Sequence, residues 1–374
     1  MSVKKVVIIG GSYAAINAVK IILTSKEGVV VHITVIAPNK FAFNIPTVPR
    51  LLSQNQHLKD VVLDNTVTFA KYTKDSKHSL DYVQGYVVGV DLEKQSVEAN
   101  VGGKSVSYTY DNLILASGSR SSHTAFKMSN SGDHTVIEDA IKLLTSEIKN
   151  ASSIAVIGGG PTGVETASEI AFEFDNKKVT LFTGESRPLA RLSEKLSTNA
   201  TRKLRDVNVK VVNNLRSTSV KEIGNKTIVE FDDASSQEFD LVIPVFLTIP
   251  NSEYMSAYPD LLDKNGFIFT DKNLRLKGYP GVLVFGDLIQ AASSTLVDLV
   301  YVQKAVLQKS IEKEILGLDV NLKDYEQPTH TMIVVPITRN GGVGTAYGFS
   351  MPNFLVRIGK AKDFFVSKTV ESLG

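Results

Sequence analysis

Ile154-Ala155-Val156-Ile157-Gly158-Gly159-Gly160-Pro161-Thr162-Gly163-Val164-Glu165 is the stretch whose reading decides the fold. Four apolar residues run into a complete G-x-G-x-x-G turn, and a helix-forming segment follows, the pattern of a strand, a tight turn and a helix. In that setting Gly158 makes the turn, Gly160 lets the backbone approach a pyrophosphate, and Gly163 lets the helix pack on the strand. The helix N-terminus adds N–H groups and a positive dipole end. A related unit opens the chain, Val6-Val7-Ile8-Ile9-Gly10-Gly11-Ser12-Tyr13-Ala14-Ala15. It keeps Gly10, has Ser12 at the middle position and Ala15 at the third. Two such units in one chain imply an α/β fold with two nucleotides bound face to face.

The units are not equivalent. Ser12 brings a Cβ against the pyrophosphate, and its hydroxyl can offset that by donating to a phosphate, so weaker binding is expected at the first turn. The strand after the first turn, Ile33-Thr34-Val35-Ile36-Ala37-Pro38, carries no acid to hold a ribose. The corresponding strand of the second unit ends in Phe182-Thr183-Gly184-Glu185. Glu185 there can accept the ribose hydroxyls of NADH, while nearby Arg187 leaves a 2′-phosphate open; the acid favours NADH.

Composition bounds the alternatives. The chain of 374 residues is 43% hydrophobic and 21% charged, and 41 basic against 39 acidic residues leave a net charge of +2. That is a globular protein of two or three domains, with no electrostatic case for nucleic acid. Cysteine is absent, which excludes a disulfide, a thiol nucleophile and a redox-active disulfide beside a flavin. The histidines, His32, His57, His78, His123, His134 and His330, show no metal-ligand spacing, so no metal is expected. The first strand starting at Val3, the Ser at position 2, the Ser372-Leu373-Gly374 ending and the lack of an apolar run of about 18 residues lead to an expected cytoplasmic location without leader, lipid anchor or span.

Along the chain, strands are expected at 3–10 and 29–36 around a helix at 13–24, hairpin strands over 81–101 and 105–108, and an apolar strand at 111–119. A helix over 138–149 leads into the second unit: strand 154–157, helix 163–174, strand 178–182, helix 194–205 and strand 210–212. The unit closes near 240–243. The chain then returns to the first domain through Gly281-Val282-Leu283-Val284-Phe285-Gly286-Asp287, followed by a helix from about Ser294 to Leu316. From Thr329 onward, strands around 332–335 and 355–358 form a small module. The expected division is 1–120 with 250–325, an inserted 121–249, and a C-terminal module 326–374. Gly286-Asp287 places a carboxylate at a buried strand end, suited to hydrogen bonding a flavin's ribityl chain; a loop Asp capping the next helix is the competing reading.

With these residues assembled, the chain resembles the FAD-dependent pyridine nucleotide-disulfide oxidoreductase superfamily, and within it the apoptosis-inducing-factor-like and ferroptosis-suppressor branch. The resemblance spans essentially the whole chain, through Phe41-Ala42-Phe43-Asn44, Leu113 to Ser119, Gly158 to Glu169, Gly286-Asp287, Arg339 to Gly344 and Leu355 to Ser367. It implies two Rossmann-like domains, the FAD domain discontinuous and the NAD(P)H domain inserted, plus a small C-terminal α+β module. It implies FAD and NADH or NADPH as cofactors, and transfer of electrons to a quinone or similar small acceptor with no disulfide. Residue by residue, it puts Gly10, Ser12, Ser117, Gly118 and Asp287 around FAD and Gly158, Gly160, Gly163 and Glu185 around the nicotinamide nucleotide.

The same resemblance puts Glu165 near the nicotinamide and flavin rings and Lys360 near the flavin as catalytic candidates. A buried helix carboxylate paired with a base, and an exposed Lys on a polar strand edge, are their competing structural readings. The departures cluster at Ser12, Ile36 and Val245-Phe246-Leu247, the last standing where the family has a Thr-Gly pair. They motivate an alternative, a diverged flavoprotein fold of weak or no activity that serves as a binding or scaffold protein. Arg357, Lys360, Lys362 and Lys368 interleaved with Phe354, Leu355, Phe364 and Phe365 suit peripheral contact with a membrane surface. Core packing with solvated lysines is the favoured account of that tail, and the oligomeric state is open.

Overall fold

The computed structural model describes residues 3–127, 135–293, 295–327 and 332–373. His134, His330, Ser294 and the start of the C-terminal module at Thr329 lie outside the described residues.

Strands buried on both faces read as unbroken apolar runs, and such runs form the centre of both main sheets. The first sheet has six strands in the order Arg275–Leu276, Tyr279–Val284, Asn112–Leu115, Lys4–Ile9, Val31–Ala37 and Ser79–Gln84. All its pairings are parallel except the short Arg275–Leu276 edge. The second has four parallel strands, Lys210–Val212, Lys178–Phe182, Ser153–Ile157 and Leu241–Pro244. The fold is thus α/β with two Rossmann-like units, the first assembled from distant parts of the sequence.

The order of strands explains where ligands can enter. From Lys4–Ile9 the chain winds one way to Val31–Ala37 and then returns to the other side with Asn112–Leu115, so a crevice opens at the carboxyl ends where the winding reverses. Ser153–Ile157 stands in the same way between Lys178–Phe182 and Leu241–Pro244. The register puts Ile9 beside Leu115 and Ile157 beside Pro244. Gly10 therefore faces Ala116-Ser117-Gly118, and Gly158 faces Val245-Phe246-Leu247.

Several sequence expectations need correction. Ser79–Gln84 is the parallel edge of the large sheet, so Asp81 does not begin the hairpin; the antiparallel strands are Tyr86–Asp91, Ser96–Val101 and Lys104–Thr109. Its half-buried residues gave no period that separates a sheet edge from a hairpin. A further meander, Ser217–Ile223, Lys226–Phe231 and Ser236–Phe239, was not expected from the sequence. Its inner face packs Phe231 and Phe239 on Phe182.

The C-terminal module contains the antiparallel strands Ile333–Pro336, Gly342–Ala346 and Phe349–Ser350. Its second expected strand, 355–358, is instead part of a helical segment, Asn353–Val356 continuing as wide π-type turns over Arg357–Ala361. Pro352 at the cap position sets the helix entry, and only Val356 and Ala361 of that stretch are buried. The exposed apolar residues beside them imitate a strand in sequence.

Candidate functional site

Both crevices open into one continuous cleft of about 2670 Å³. Gly10, Ser12, Ser117, Gly118, Gly286 and Asp287 line one end, Gly158, Gly160 and Glu185 the other, and Glu165 and Lys360 the wall between. The third positions do not reach the cleft. Ala15 is fully buried, and a Cβ on Gly163 would stand 1.8 Å from the Gly158 carbonyl oxygen. These two positions serve the helix-on-strand contact.

At the second turn, Gly160 is the N-cap of the helix Pro161–Glu173. A Cβ there would meet nothing within 4 Å, so the space beside the helix N-terminus, where an anion is favoured, is open. At the first turn, Ser12 occupies the same cap position before the helix Tyr13–Thr24, is exposed, and makes no side-chain cap bond. Its hydroxyl is not spent on its own helix. Ser117, by contrast, is committed: its Oγ donates to the Asn251 carbonyl at 2.7 Å and lies 2.9 Å from the Tyr254 hydroxyl.

Asp287 sits one residue beyond Gly286 at the end of a buried strand. Its Oδ2 accepts from Ser119 Oγ at 2.8 Å and from Lys127 Nζ at 2.5 Å, and Lys127 also donates to Ser119. Burial pushes the carboxyl up, but the Lys127 charge and the two donors outweigh it and hold it below the usual carboxylate range. Asp287 is therefore an ionised acceptor with its partners already in place, which fits a hydroxyl-rich chain at this end of the cleft.

Glu165 lies one turn into the Pro161–Glu173 helix, 3% exposed, and Lys360 Nζ donates to its Oε1 at 2.5 Å. Burial pushes the Glu165 carboxyl up; the Lys360 charge and hydrogen bond draw it back without cancelling the rise, and Glu169 adds to it. Lys360 is neither exposed nor on a strand edge, because the helical turn swings its ammonium onto Glu165 and over the Phe364 ring at 5.3 Å. The tail aromatic Phe364 is fully buried.

Five residues to which sequence reasoning gave no role, Arg50, Glu169, Arg339, Glu173 and Lys127, support the site. Arg50 donates to both oxygens of Glu169, at 2.6 and 3.1 Å, with both side chains almost wholly buried. It also donates to the carbonyls of Ala361 and Lys362 at 2.9 and 3.1 Å. One guanidinium thus fastens the backbone after Lys360 to the helix that carries Glu165. Arg339 pairs with Glu173, so Glu165, Glu169 and Glu173, four residues apart on one helix face, each hold a cation. That spacing of three acids on a helix was the available signal. For Lys127, in a loop following Ser119, no signal existed.

The paired crevices and the shared cleft define an α/β protein built for two dinucleotides. The chain belongs to the pyridine nucleotide-disulphide oxidoreductase family, whose model matches residues 4–308. It is an oxidoreductase of that flavoprotein family, whose cofactors are FAD and NADH or NADPH. Oxidoreductase ptaL of Pestalotiopsis fici is 29% identical over 362 residues, 95% of this chain and 94% of its own length. Ferroptosis suppressor protein 1 of Xenopus tropicalis is 28% identical over 392 residues, 99% and 96% of the two chains. Among solved structures, the water-forming NADH oxidase of Lactobacillus brevis superposes with a TM-score of 0.64 at 19% identity, over 89% of this chain and 73% of that one. No helix among the described residues is long and apolar enough to cross a membrane.

Proposed function

We propose that this protein oxidises a nicotinamide nucleotide and passes the electrons to a small acceptor, a quinone being the candidate. The observation that supports it most is the Glu165–Lys360 pair, 2.5 Å apart, in the wall of a cleft reached by both glycine turns. Gly10, Ser12, Gly118 and Asp287 would hold FAD, and Gly158 and Gly160 the nicotinamide nucleotide, with Ala15 and Gly163 keeping their helices close. When bound, FAD supplies two-electron acceptance from the nicotinamide and release to the acceptor.

The protein's own part is orientation and charge. The Lys360 ammonium fixes a positive charge beside the cleft where negative charge develops on reduction. Glu165, its carboxyl pushed up by burial, accepts from Lys360 at Oε1 and so keeps that charge oriented at the cleft wall. The net change balances as one hydride from the nicotinamide and one proton to the quinone, giving the quinol. With no cysteine in the chain, no thiol intervenes.

A lipophilic acceptor suits the rim. Tyr347, Phe349, Phe354 and Ile358 are exposed on the C-terminal module, and Tyr347, Met351 and Gly359 line the same cleft as Lys360. Peripheral contact of this module with a membrane in the cytoplasm, and the division 1–120 with 250–325, 121–249 and 326–374, belong to the same proposal. Purified protein should be yellow, bleach anaerobically with NADH or NADPH, and reoxidise with a soluble quinone faster than with air, indifferent to thiol alkylation. A reduced flavin inert to quinones, dyes and oxygen alike would instead favour the binding-protein alternative.

A further inference from the structure

The carboxylate that selects NADH belongs at the end of the strand after the glycine turn, where it can accept both ribose hydroxyls. In this chain the residue immediately after Lys178–Phe182 is Thr183, 2% exposed. Its hydroxyl is turned to Gly159, where a Cβ would come within 2.4 Å of Oγ1, and accepts from the Glu185 N–H at 3.2 Å. Glu185 stands two residues later. Its side chain is exposed, and Oε1 lies 3.7 Å from a terminal nitrogen of Arg216, which is equally exposed. The acid that follows this strand end is therefore already facing a cation.

The surrounding charge has the opposite sign. Arg187, Arg191 and Arg216 all line this end of the cleft together with Gly184 and Glu185. Arg216 lies across Gly184: a Cβ on that glycine would be 3.2 Å from Nε and 3.3 Å from Cζ. Arg187 Nε is buried without a hydrogen-bond partner, an unusual state for a guanidinium nitrogen and one that an incoming acceptor would relieve. Asp232 Oδ1 also accepts from the Arg216 backbone N–H at 3.1 Å, so three guanidinium groups stand against two carboxylates and a positive excess remains. Arginine's planar set of donors matches phosphate oxygens, and a phosphate monoester carries about −1.5 to −2 charge at neutral pH.

We propose that this protein prefers NADPH to NADH, with Arg187 and Arg216 receiving the 2′-phosphate. The inference rests on the second glycine turn being the nicotinamide nucleotide site, and it reverses the NADH preference that Glu185 suggests in the sequence.

Adenosine fragments test it without turnover. Calorimetric titration of the FAD-loaded protein should show 2′,5′-ADP binding at least about tenfold more tightly than 5′-ADP, a difference of about 1.4 kcal/mol. Arg216→Ala, at an exposed position where folding is not at stake, should close most of that gap, and Glu185→Gln should leave it or widen it. Equal or weaker binding of 2′,5′-ADP overturns the proposal, as does a gap untouched by Arg216→Ala. Flavin reduction efficient with NADH and poor with NADPH would also overturn it while leaving the oxidoreductase reading intact. Failure of both fragments to bind, with neither nucleotide reducing the flavin, would remove both.

Discussion

The two nucleotide units share a backbone and differ in what they place on it. Gly10 and Gly158 adopt nearly the same conformation, with φ of +124° and +130°. Each N–H bonds across the sheet, to Ile36 and Phe182 respectively, and each strand end receives a neighbour's N–H, from Ala116 and Val245. The third residues past the neighbouring strands also match: Gly118 has φ +67° and Leu247 φ +71°. The first unit meets that left-handed position with glycine, the second with an exposed leucine. Conversely the second unit has glycine at the middle of its turn, where the first has Ser12. Each unit thus keeps its path while giving up one of the residues that make it easy. Backbone geometry persists because the sheet register imposes it, and side chains vary where only a ligand would notice.

The two first glycines give the largest expected effect. A Cβ on Gly10 would stand 2.2 Å from the Ala116 carbonyl oxygen, against 3.0 Å from Val245 oxygen for Gly158. Both changes impose an unfavourable φ, so Gly10→Ala should cost about 4 kcal/mol and Gly158→Ala about 2 kcal/mol. Urea denaturation midpoints would rank them, and an equal loss would show that the two turns differ in rigidity from what their contacts imply.

Gly160→Val separates the units by function. The valine would extend into the space kept clear at the second turn, where its Cβ meets nothing within 4 Å, so fold and FAD content should persist while flavin reduction by NADH or NADPH is lost. Rapid-mixing absorbance at the flavin band reads the outcome. Reduction at the unmodified rate would make the second turn structural only.

Smaller effects probe the two compromises. Leu247→Gly relieves a left-handed leucine whose side chain buries little, and should stabilise the protein by about 0.5–1 kcal/mol. No gain in thermal midpoint would mean that Leu247 makes a contact worth its strain. Ser12→Gly should tighten FAD by about fivefold, or about 1 kcal/mol, measured by flavin fluorescence quenching. Unchanged or weaker binding would mark the Ser12 hydroxyl as an adapted phosphate donor.

Much of the fold was legible because its central strands and turns are local patterns. The helix Tyr13–Thr24 and the strands Lys178–Phe182 and Lys210–Val212 have the boundaries the sequence suggests, since apolar period and glycine punctuation coincide there. Less legible were edges. Ser79–Gln84 joins the large sheet only because Val31–Ala37 lies next to it in space, and the segment from Asn353 onward coils because Asn353 ties it to Asn340 and Gly342, contacts no local window contains.

The sequence by itself determined the two turns, the absence of a thiol route and the residue types at the cleft, because each is a property of neighbouring residues. Tertiary structure alone decided the pairings. Lys360 meets Glu165 across 195 positions, Arg50 meets Glu169 across 119, and Lys127 meets Asp287 across 160. Such charges are indistinguishable in sequence from solvated ones. They acquire a partner only when burial takes away their water and the fold supplies an opposite charge in its place.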